Sequence, residues 1–455
     1  MPAQAGRATS ARHRFAVWAL ICSALAARPA SAAAPKLQAV GEATLGVSDN
    51  ISAAPEVPLP DGAERTAGAF LVLRPGAVLA FLSARTLQRL SYTYSYDLYF
   101  GEANSNSSSN RLDYLGFFDL SPRVTSVLTA AATQATTYSA LTLAPPGSGT
   151  LPLLPGGDAN TLQLAADEQV NFDLGVGWRA YEGIGILWGT PLFGTDAPKT
   201  LAPNARLGLE YALRTDAFGV QGRVEYAVIR NGIQADGTRV PVLKQLVTRG
   251  VGTWRRDLGR YFTSSVEAGV MHVDRFDPHR GALYPTGGAT LAYADVIGDA
   301  QLSYVHAVFT NALLGQSLLT DEVRLRGAVP LDQRERYVVG ASAGYQVGRL
   351  LDENAELATN VSVLHFDVSF GWRANDFLTL GLRGQHIDQR SDTRIATLPV
   401  SYVQNNLMLG AVVRFPPERE MPRGYRAPQR VDRTDELRGT DGSDDRVPAP
   451  GGPQP

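Results

Sequence analysis

Long runs of strictly alternating apolar and polar residues are the feature that most constrains the fold of this chain. Two of them are 90–100 (LSYTYSYDLYF) and 366–373 (FDVSFGWR). Because successive side chains of a β-strand point to opposite faces, each run predicts a strand with one apolar face and one polar face. Several runs reach 9 to 11 residues, longer than the roughly 5–6 residues of strands in globular proteins and long enough to cross a bilayer when tilted. Further runs lie at 170–178, 206–213, 220–228 and 378–383.

The polar faces of these strands carry glycine, serine, arginine and carboxylates. Such a face does not fit the dry interior of a β-sandwich, but it fits the water-filled interior of a membrane barrel. The mean hydropathy of −0.10 agrees with this, because an apolar outer face and a polar inner face cancel in the average. After residue 32 no run of 18 apolar residues occurs, so no transmembrane helix is predicted. The predicted fold class is all-β, a transmembrane antiparallel up-and-down β-barrel.

The segments between the strands alternate between short turns and longer polar stretches. In outer-membrane barrels the short turns are periplasmic and the long loops face outward. Nine long stretches predict about eighteen strands with both termini in the periplasm. Sixteen strands are the alternative, because 183–190, 242–255 and 300–310 alternate poorly. The short turns lie near 120–122, 215–217, 256–259, 298–299, 331–336 and 374–376, and the long stretches at 49–66, 102–110, 140–166, 190–204, 230–241, 275–286, 311–319, 349–357 and 389–398.

A barrel of 16–18 strands encloses an aqueous channel. The polar stretch 140–166 is long enough to fold into such a channel as a constriction, and a plain surface loop is the alternative.

The two ends of the chain differ from the barrel segment 33–415. Residues 1–32 combine early arginines, an apolar core at 15–27 and a small-residue pattern ending at Ala32, which predicts a secretory signal peptide cleaved after Ala32. The run 406–415 (NLMLGAVVRF) resembles the closing strand of outer-membrane proteins and ends at Phe415. The segment 416–455 is rich in proline, arginine and acidic residues, which predicts a disordered tail.

Composition and motifs exclude several classes of function. A net charge of −2 excludes a polybasic nucleic-acid binder, and a single cysteine excludes a disulfide scaffold. The sequence has no HExxH, G-x-S-x-G or P-loop motif, so no metal, no cofactor and no enzymatic activity are predicted. The nearest catalytic candidate is His365 beside Asp367 and Ser369. Alternate residues of one strand face lie about 7 Å apart, too far for the hydrogen bonds of a catalytic triad.

Charged residues on the predicted inner face are the candidates for solute selectivity, since rings of charge decide which solutes enter a pore. Arginines and acids that pair across strands would favour polar, uncharged or weakly charged solutes such as sugars. The alternative is that they only hold the wall rigid. The candidates are Arg206, Glu210, Arg223, Glu225, Glu322, Arg324, Arg326, Asp367, Arg373 and Arg383. The predicted lipid-facing aromatic residues are Tyr92, Tyr94, Tyr96, Trp178, Phe370 and Trp372.

The segment 45–51 (LGVSDNI), followed by a proline-containing loop, resembles the opening of a family of outer-membrane β-barrel porins associated with exopolysaccharide gene clusters. That family usually has an aromatic residue before the Asp-Asn pair, where this chain has Val47-Ser48. The chain also resembles the barrel partners of periplasmic polysaccharide-export proteins in soil deltaproteobacteria.

The resemblance implies passage of a secreted polysaccharide across a Gram-negative outer membrane, together with a periplasmic export protein. Lipid of the outer membrane and the barrel-insertion machinery are the other expected partners. Two alternatives stay open at this point. One is a general diffusion porin for small polar solutes, and the other is an outer-membrane enzyme or a structural anchor.

Overall fold

A computed structural model describes residues 35–51, 65–83, 85–100, 106–137, 159–191, 199–233, 239–276, 279–295, 297–311, 316–351, 360–391 and 401–417. These residues form a single antiparallel sheet of eighteen strands. The prediction of an eighteen-stranded all-β barrel is confirmed, and the alternative of sixteen strands is wrong. The predicted signal peptide at 1–32 and the tail from 418 onward lie outside the described residues.

The strands follow one another around the sheet in chain order. Their bounds are β1 Lys36–Ser48, β2 Gly68–Leu82, β3 Thr86–Tyr99, β4 Ser107–Ser121, β5 Val124–Thr137, β6 Ala159–Gly175, β7 Trp178–Pro191, β8 Lys199–Ala212, β9 Asp216–Ile233, β10 Arg239–Leu258, β11 Phe262–Phe276, β12 His279–Asp295, β13 Gly298–Asn311, β14 Gln316–Pro330, β15 Tyr337–Leu350, β16 Asn360–Arg373, β17 Leu378–Ser391 and β18 Tyr402–Phe415.

The sheet closes on itself because β1 pairs with both β2 and β18. At this seam Ala39 lies opposite Phe415, and Ser48 lies opposite Asn406. Closure gives each strand a partner on both sides, which a sheet needs in a bilayer because lipid cannot satisfy backbone hydrogen bonds. Phe415, the last residue of β18, stacks on Phe377 with ring centroids 5.9 Å apart.

The two ends of the barrel are distinguished by their connections. Those from even- to odd-numbered strands gather at one end, which we call the turn end, and those from odd- to even-numbered strands gather at the other, the loop end. The first residue of β1 and the last residue of β18 both lie at the turn end. The placement of this end in the periplasm stays a prediction.

The strands are longer than the alternating runs indicate, from 13 residues in β1 to 20 in β10. Parts of the predicted long stretches are therefore strand: 159–166 belongs to β6, and all of 275–286 except 277–278 belongs to β11 and β12. Where a strand extends beyond the lipid, both of its faces meet water, so alternation is no longer required and the sequence signal disappears.

A turn at 176–177 also corrects the sequence analysis, which placed 170–178 in one strand. Gly175 and Gly177 both have a φ of 83°, and Val176 between them has a φ of 52°. The left-handed region strains residues that have a Cβ, and glycine adopts it freely. The chain therefore reverses here, and Trp178 begins β7 opposite Gly175.

The outer face of the barrel is apolar and exposed. Leu207 and Leu409, for example, are 65% and 59% exposed. A soluble protein rarely presents such a surface to water, whereas hydrocarbon accommodates it. Of the predicted lipid-facing aromatic residues, Tyr92, Trp178, Phe370 and Trp372 are exposed on this face, and Tyr94 and Tyr96 are half-buried on it.

Aromatic side chains mark the height of the apolar band. At the turn end they form pairs such as Trp178–Tyr211, with ring centroids 4.8 Å apart. On β9 the exposed rings of Phe218 and Tyr226 lie eight positions apart, about 26 Å along the strand at about 3.3 Å per residue. This spacing matches the aromatic girdles and the apolar band of about 25 Å in outer-membrane barrels. The protein is thus an outer-membrane β-barrel.

Within the described ranges, no helix is long and apolar enough to cross a membrane.

A charge on the outer face should destabilise the barrel. Leu409 lies in the middle of β18, and we expect Leu409→Arg to lower the free energy of unfolding by about 2–4 kcal/mol, the cost of arginine at the bilayer midplane. The measurement is urea unfolding of the barrel in lipid vesicles. Thr44→Arg is the matched control, because Thr44 lies on the inner face of the neighbouring β1. Equal losses in the two variants would contradict this assignment of faces.

Candidate functional site: the inner wall of the barrel

The inner face of the barrel carries eight pairs of arginine and carboxylate side chains. Three pairs join neighbouring strands, three lie on a single strand, and two reach across an intervening strand. Because each arginine is matched by a carboxylate, the wall is close to neutral at every pair. The pairs are Arg74–Glu42 (3.1 Å), Arg249–Glu267, Arg383–Asp367, Arg111–Asp113 (2.8 Å), Arg223–Glu225 (2.9 Å), Arg324–Glu322 (3.0 Å), Arg206–Asp167 (2.6 Å) and Arg255–Glu210 (3.2 Å).

Eight of the ten residues predicted to line the lumen belong to these pairs. The other two are exposed: Arg326 donates from Nε to Gln301 Oε1 at 3.0 Å, and Arg373 lies at the turn end of β16. The alternating runs did not identify the remaining members of the pairs. Arg111 and Asp167 directly follow stretches assigned to loops, and Asp113 lies two positions after Arg111. Alternation counted from the turn end of each strand assigns all three to the inner face. The missed residues are Glu42, Arg74, Arg111, Asp113, Asp167, Arg249, Arg255 and Glu267.

Arg206 is the most enclosed of the eight arginines, with a side chain that is 6% exposed. It reaches from β8 across β7 to β6, where its Nη2 donates to Asp167 Oδ1 at 2.6 Å and to Gln169 Oε1 at 2.9 Å. The residue beneath it on β7 is Gly183. A Cβ at Gly183 would lie 2.6 Å from Arg206 Nε and 3.0 Å from the backbone oxygen of Glu168. A glycine at 183 is therefore what lets this arginine span three strands.

Arg255 spans β9 in the same way to reach Glu210 on β8. The inward-facing residues of β9 at this level are Ala217, opposite Arg255, and Gly219, opposite Glu210. Small residues on the middle strand thus recur beneath both long-range pairs. Together these pairs tie β6 to β8 and β8 to β10, so this part of the wall is braced beyond its backbone hydrogen bonds.

Toward the loop end the inner wall changes from charged to apolar and amide side chains. Ile229, Met271, Val361 and Tyr402 face inward there and are almost fully buried. Water does not reach these side chains, so the lumen is much narrower at the loop end than at the level of the ion pairs.

Direct contact between two arcs of the wall produces part of this narrowing. One buried group consists of Val247 on β10 and of Met271 and Val273 on β11. Leu351 packs against this group, although it follows β15, which is four strands from β11 in the sheet. β9 and β14 also contact each other. We call this group the pinch cluster; it consists of Val247, Met271, Val273, Tyr284, Val308 and Leu351.

The constriction predicted from 140–166 stays a prediction. Residues 140–158 lie outside the described part of the chain, and 159–166 are strand.

His365, Asp367 and Ser369 share the inner face of β16, but they are engaged separately. Asp367 binds Arg383, and His365 Nε2 lies 3.4 Å from Gln385 Nε2. The residues that the structure describes contain no group of three or more side chains placed to hold a metal ion.

At the loop end of the seam, Asp49 follows β1 and joins it to β18. Its carboxylate accepts hydrogen bonds from the backbone N and Nδ2 of Asn405, at 2.7 and 2.6 Å, and pairs with Arg65 at 2.8 Å. Partial burial disfavours the charged form of Asp49, but these hydrogen bonds and the Arg65 guanidinium hold the pKa of the carboxyl below its ordinary value. The seam is therefore held by an ionised aspartate at neutral pH.

No protein-family model matches the chain, and no curated protein matches it. Among solved structures it is similar to OccK2 (OpdF) of Pseudomonas aeruginosa in complex with glucuronate, with 11% identity and a TM-score of 0.43 over 84% of this chain and 98% of that one. OccAB3 of Acinetobacter baumannii shows 10% identity and a TM-score of 0.44 over 84% and 100%. The FrpB iron transporter of Neisseria meningitidis shows 8% identity and a TM-score of 0.45 over 84% and 81%. At these values the similarity assigns no function.

Proposed function

We propose that the protein is a channel through which small polar solutes diffuse across the outer membrane. The observation that supports this most directly is the set of eight matched arginine–carboxylate pairs on the inner wall. A polar wall holds water in the lumen, as barrels of this strand number do. Because the sixteen charges of these pairs balance one another, this part of the wall does not favour ions of one sign, and it suits uncharged and weakly charged solutes better than strongly charged ones.

The pinch cluster limits the size of the solutes in this proposal. Its side chains are apolar and mutually packed, so they do not bind a hydrated ion and they reduce the free cross-section at the loop end. Small solutes pass such a narrowing more readily than polymers. This is why we favour diffusion of small solutes over polysaccharide export, which stays a prediction from the resemblance and would be tested by surface polysaccharide in a deletion strain.

The test of the proposed function is conductance of the purified full-length barrel in planar lipid bilayers. We expect stepwise conductance in potassium chloride with little preference between potassium and chloride. Vesicles that contain the protein should swell in small neutral solutes and not in dextrans. Absence of conductance would contradict the proposal and favour a structural anchor or an enzyme, and strong selectivity for one ion sign would contradict the role given to the paired charges.

A further inference from the structure

A group of uncharged amide side chains covers the inner wall next to the seam. Gln385 and Gln389 lie on β17, with Gln404 and Asn406 on β18. Gln385 is directly opposite Asn406, and Gln389 is opposite Tyr402. Gln404 and Asn406 are only 1% and 4% exposed. We call these four residues the amide cluster. Polar side chains this buried normally have all their hydrogen bonds satisfied.

Hydrogen bonds from the two buried amides of β18 fix the direction of their oxygens. Gln404 Nε2 donates to the backbone oxygen of Asn50 at 2.7 Å, and Asn406 Nδ2 donates to Gln385 Oε1 at 3.1 Å. Turning the Gln404 amide over would place its oxygen against the Asn50 oxygen, where two acceptors repel. Each NH2 group thus donates one hydrogen bond within the wall, and each oxygen points away from that contact.

Neither Gln404 Oε1 nor Asn406 Oδ1 accepts a hydrogen bond from any residue that the structure describes. An unmet buried acceptor destabilises the folded protein. An apolar pair would fill the same space without that cost. Two such oxygens, two positions apart on one face of β18, form an acceptor pair suited to a molecule that supplies hydrogen-bond donors.

Apolar side chains lie next to this acceptor pair. Met408, the next inward-facing residue of β18, belongs to a buried group with Phe70 and Tyr99, whose ring centroids lie 5.9 Å apart. Asp367, which lies opposite Gln385, is matched by Arg383, so this charge beside the cluster is balanced. Hydroxyl donors beside an apolar surface are the features of a neutral sugar or polyol.

We propose that the amide cluster binds a neutral polyhydroxylated solute, with Gln404 Oε1 and Asn406 Oδ1 accepting hydrogen bonds from its hydroxyl groups. This inference rests on the proposed function and adds to it the chemical class of a preferred solute. Both oxygens are buried in this conformation, so a solute reaches them only when neighbouring side chains move away. We therefore expect discrete, slow blocking events in single-channel current rather than fast flicker.

The experiment measures block of single-channel current by maltose, with tetraethylene glycol dimethyl ether as a probe of similar size that has acceptors and no donors. We expect maltose to block the wild-type channel and the ether not to block it. Gln404→Met and Asn406→Leu keep much of the side-chain shape, and each removes one acceptor together with the NH2 donor that holds it in the wall. Each should raise the half-blocking concentration about fivefold to tenfold, the loss of one hydrogen bond to an uncharged donor. Gln163→Met, at an inward-facing amide of β6, is the matched control and should leave it unchanged.

The outcomes separate this inference from the proposed function. A wild-type channel that conducts without maltose block, or variants that are blocked like the wild type, would overturn the sugar site and leave the channel standing. A wild-type barrel that does not conduct would overturn both. Unheated gel migration checks that each variant is folded. If a variant does not fold, calorimetric titration of the wild type with maltose decides instead, and absence of binding heat overturns the inference.

Discussion

Placing a carboxylate at Met271 is expected to widen the loop end of the lumen and to raise single-channel conductance severalfold. Met271 is 1% exposed and packs within the pinch cluster. Burying an unpaired charge there would cost several kcal/mol, whereas separation of the two arcs of the wall exposes the new carboxylate to water. The closed sheet does not have to break for the arcs to move apart. We therefore expect Met271→Asp to remain a folded barrel with a larger current step in planar bilayers.

Met271→Leu is the control for this prediction. It conserves volume and apolar character, so it should cost less than about 1.5 kcal/mol and keep the wild-type conductance. Folding of both variants is checked by the migration of unheated samples on gels. A folded Met271→Asp barrel with wild-type conductance would show that the pinch cluster does not limit the current.

Removal of the Arg206 guanidinium is expected to change both ion selectivity and stability. Arg206→Met keeps much of the side-chain length but takes one positive charge from the inner wall. At about 4 Å in water a unit charge is worth about 1 kcal/mol, so the permeability ratio of potassium to chloride should rise about fivefold. Gln169 Oε1 also loses its donor, which should lower the free energy of unfolding by about 1–3 kcal/mol.

Reversal potentials in a salt gradient measure the first effect, and urea unfolding measures the second. Arg256→Met is the matched control, because it makes the same charge change outside the lumen. Arg256 lies at the turn end and is half-exposed, with its Nε 3.8 Å from Asp216. If the two variants showed the same reversal potential, the Arg206–Asp167 pair would have no part in selectivity.

Much of the barrel could be predicted from the sequence because a membrane barrel imposes one simple rule on each strand. Lipid on one side and water on the other force alternation, so 90–100 and 366–373 identify their strands and both of their faces. The same rule assigns Arg206, Glu322 and Asp367 to the polar face of their strands, and in the structure each of them forms an ion pair. The rule fails where a strand leaves the lipid, as in 275–286, because both faces then meet water. It also fails at 176–177, because apolar and polar residues continue to alternate through a turn.

The amide cluster shows a second limit. Gln404 and Asn406 occupy alternate positions like any other inward-facing residues. The alternation does not distinguish a buried hydrogen-bond acceptor from one that contacts water. Their role depends on the Asn50 backbone oxygen, which lies more than 350 positions away in the chain. Only closure of the sheet between β1 and β18 brings them together.

The sequence by itself determined the strand type, the facing of most side chains and an outer-membrane barrel of about eighteen strands. These follow from alternation and segment length, which are local properties. The tertiary structure decided which charges are partners, where the wall contacts itself and which amides are left with open acceptors. Arg206 reaches Asp167 because register and a glycine at 183 permit it, and Leu351 reaches the Met271 group because the closed sheet brings distant arcs together. Both depend on contacts between residues far apart in the chain, which no local pattern records.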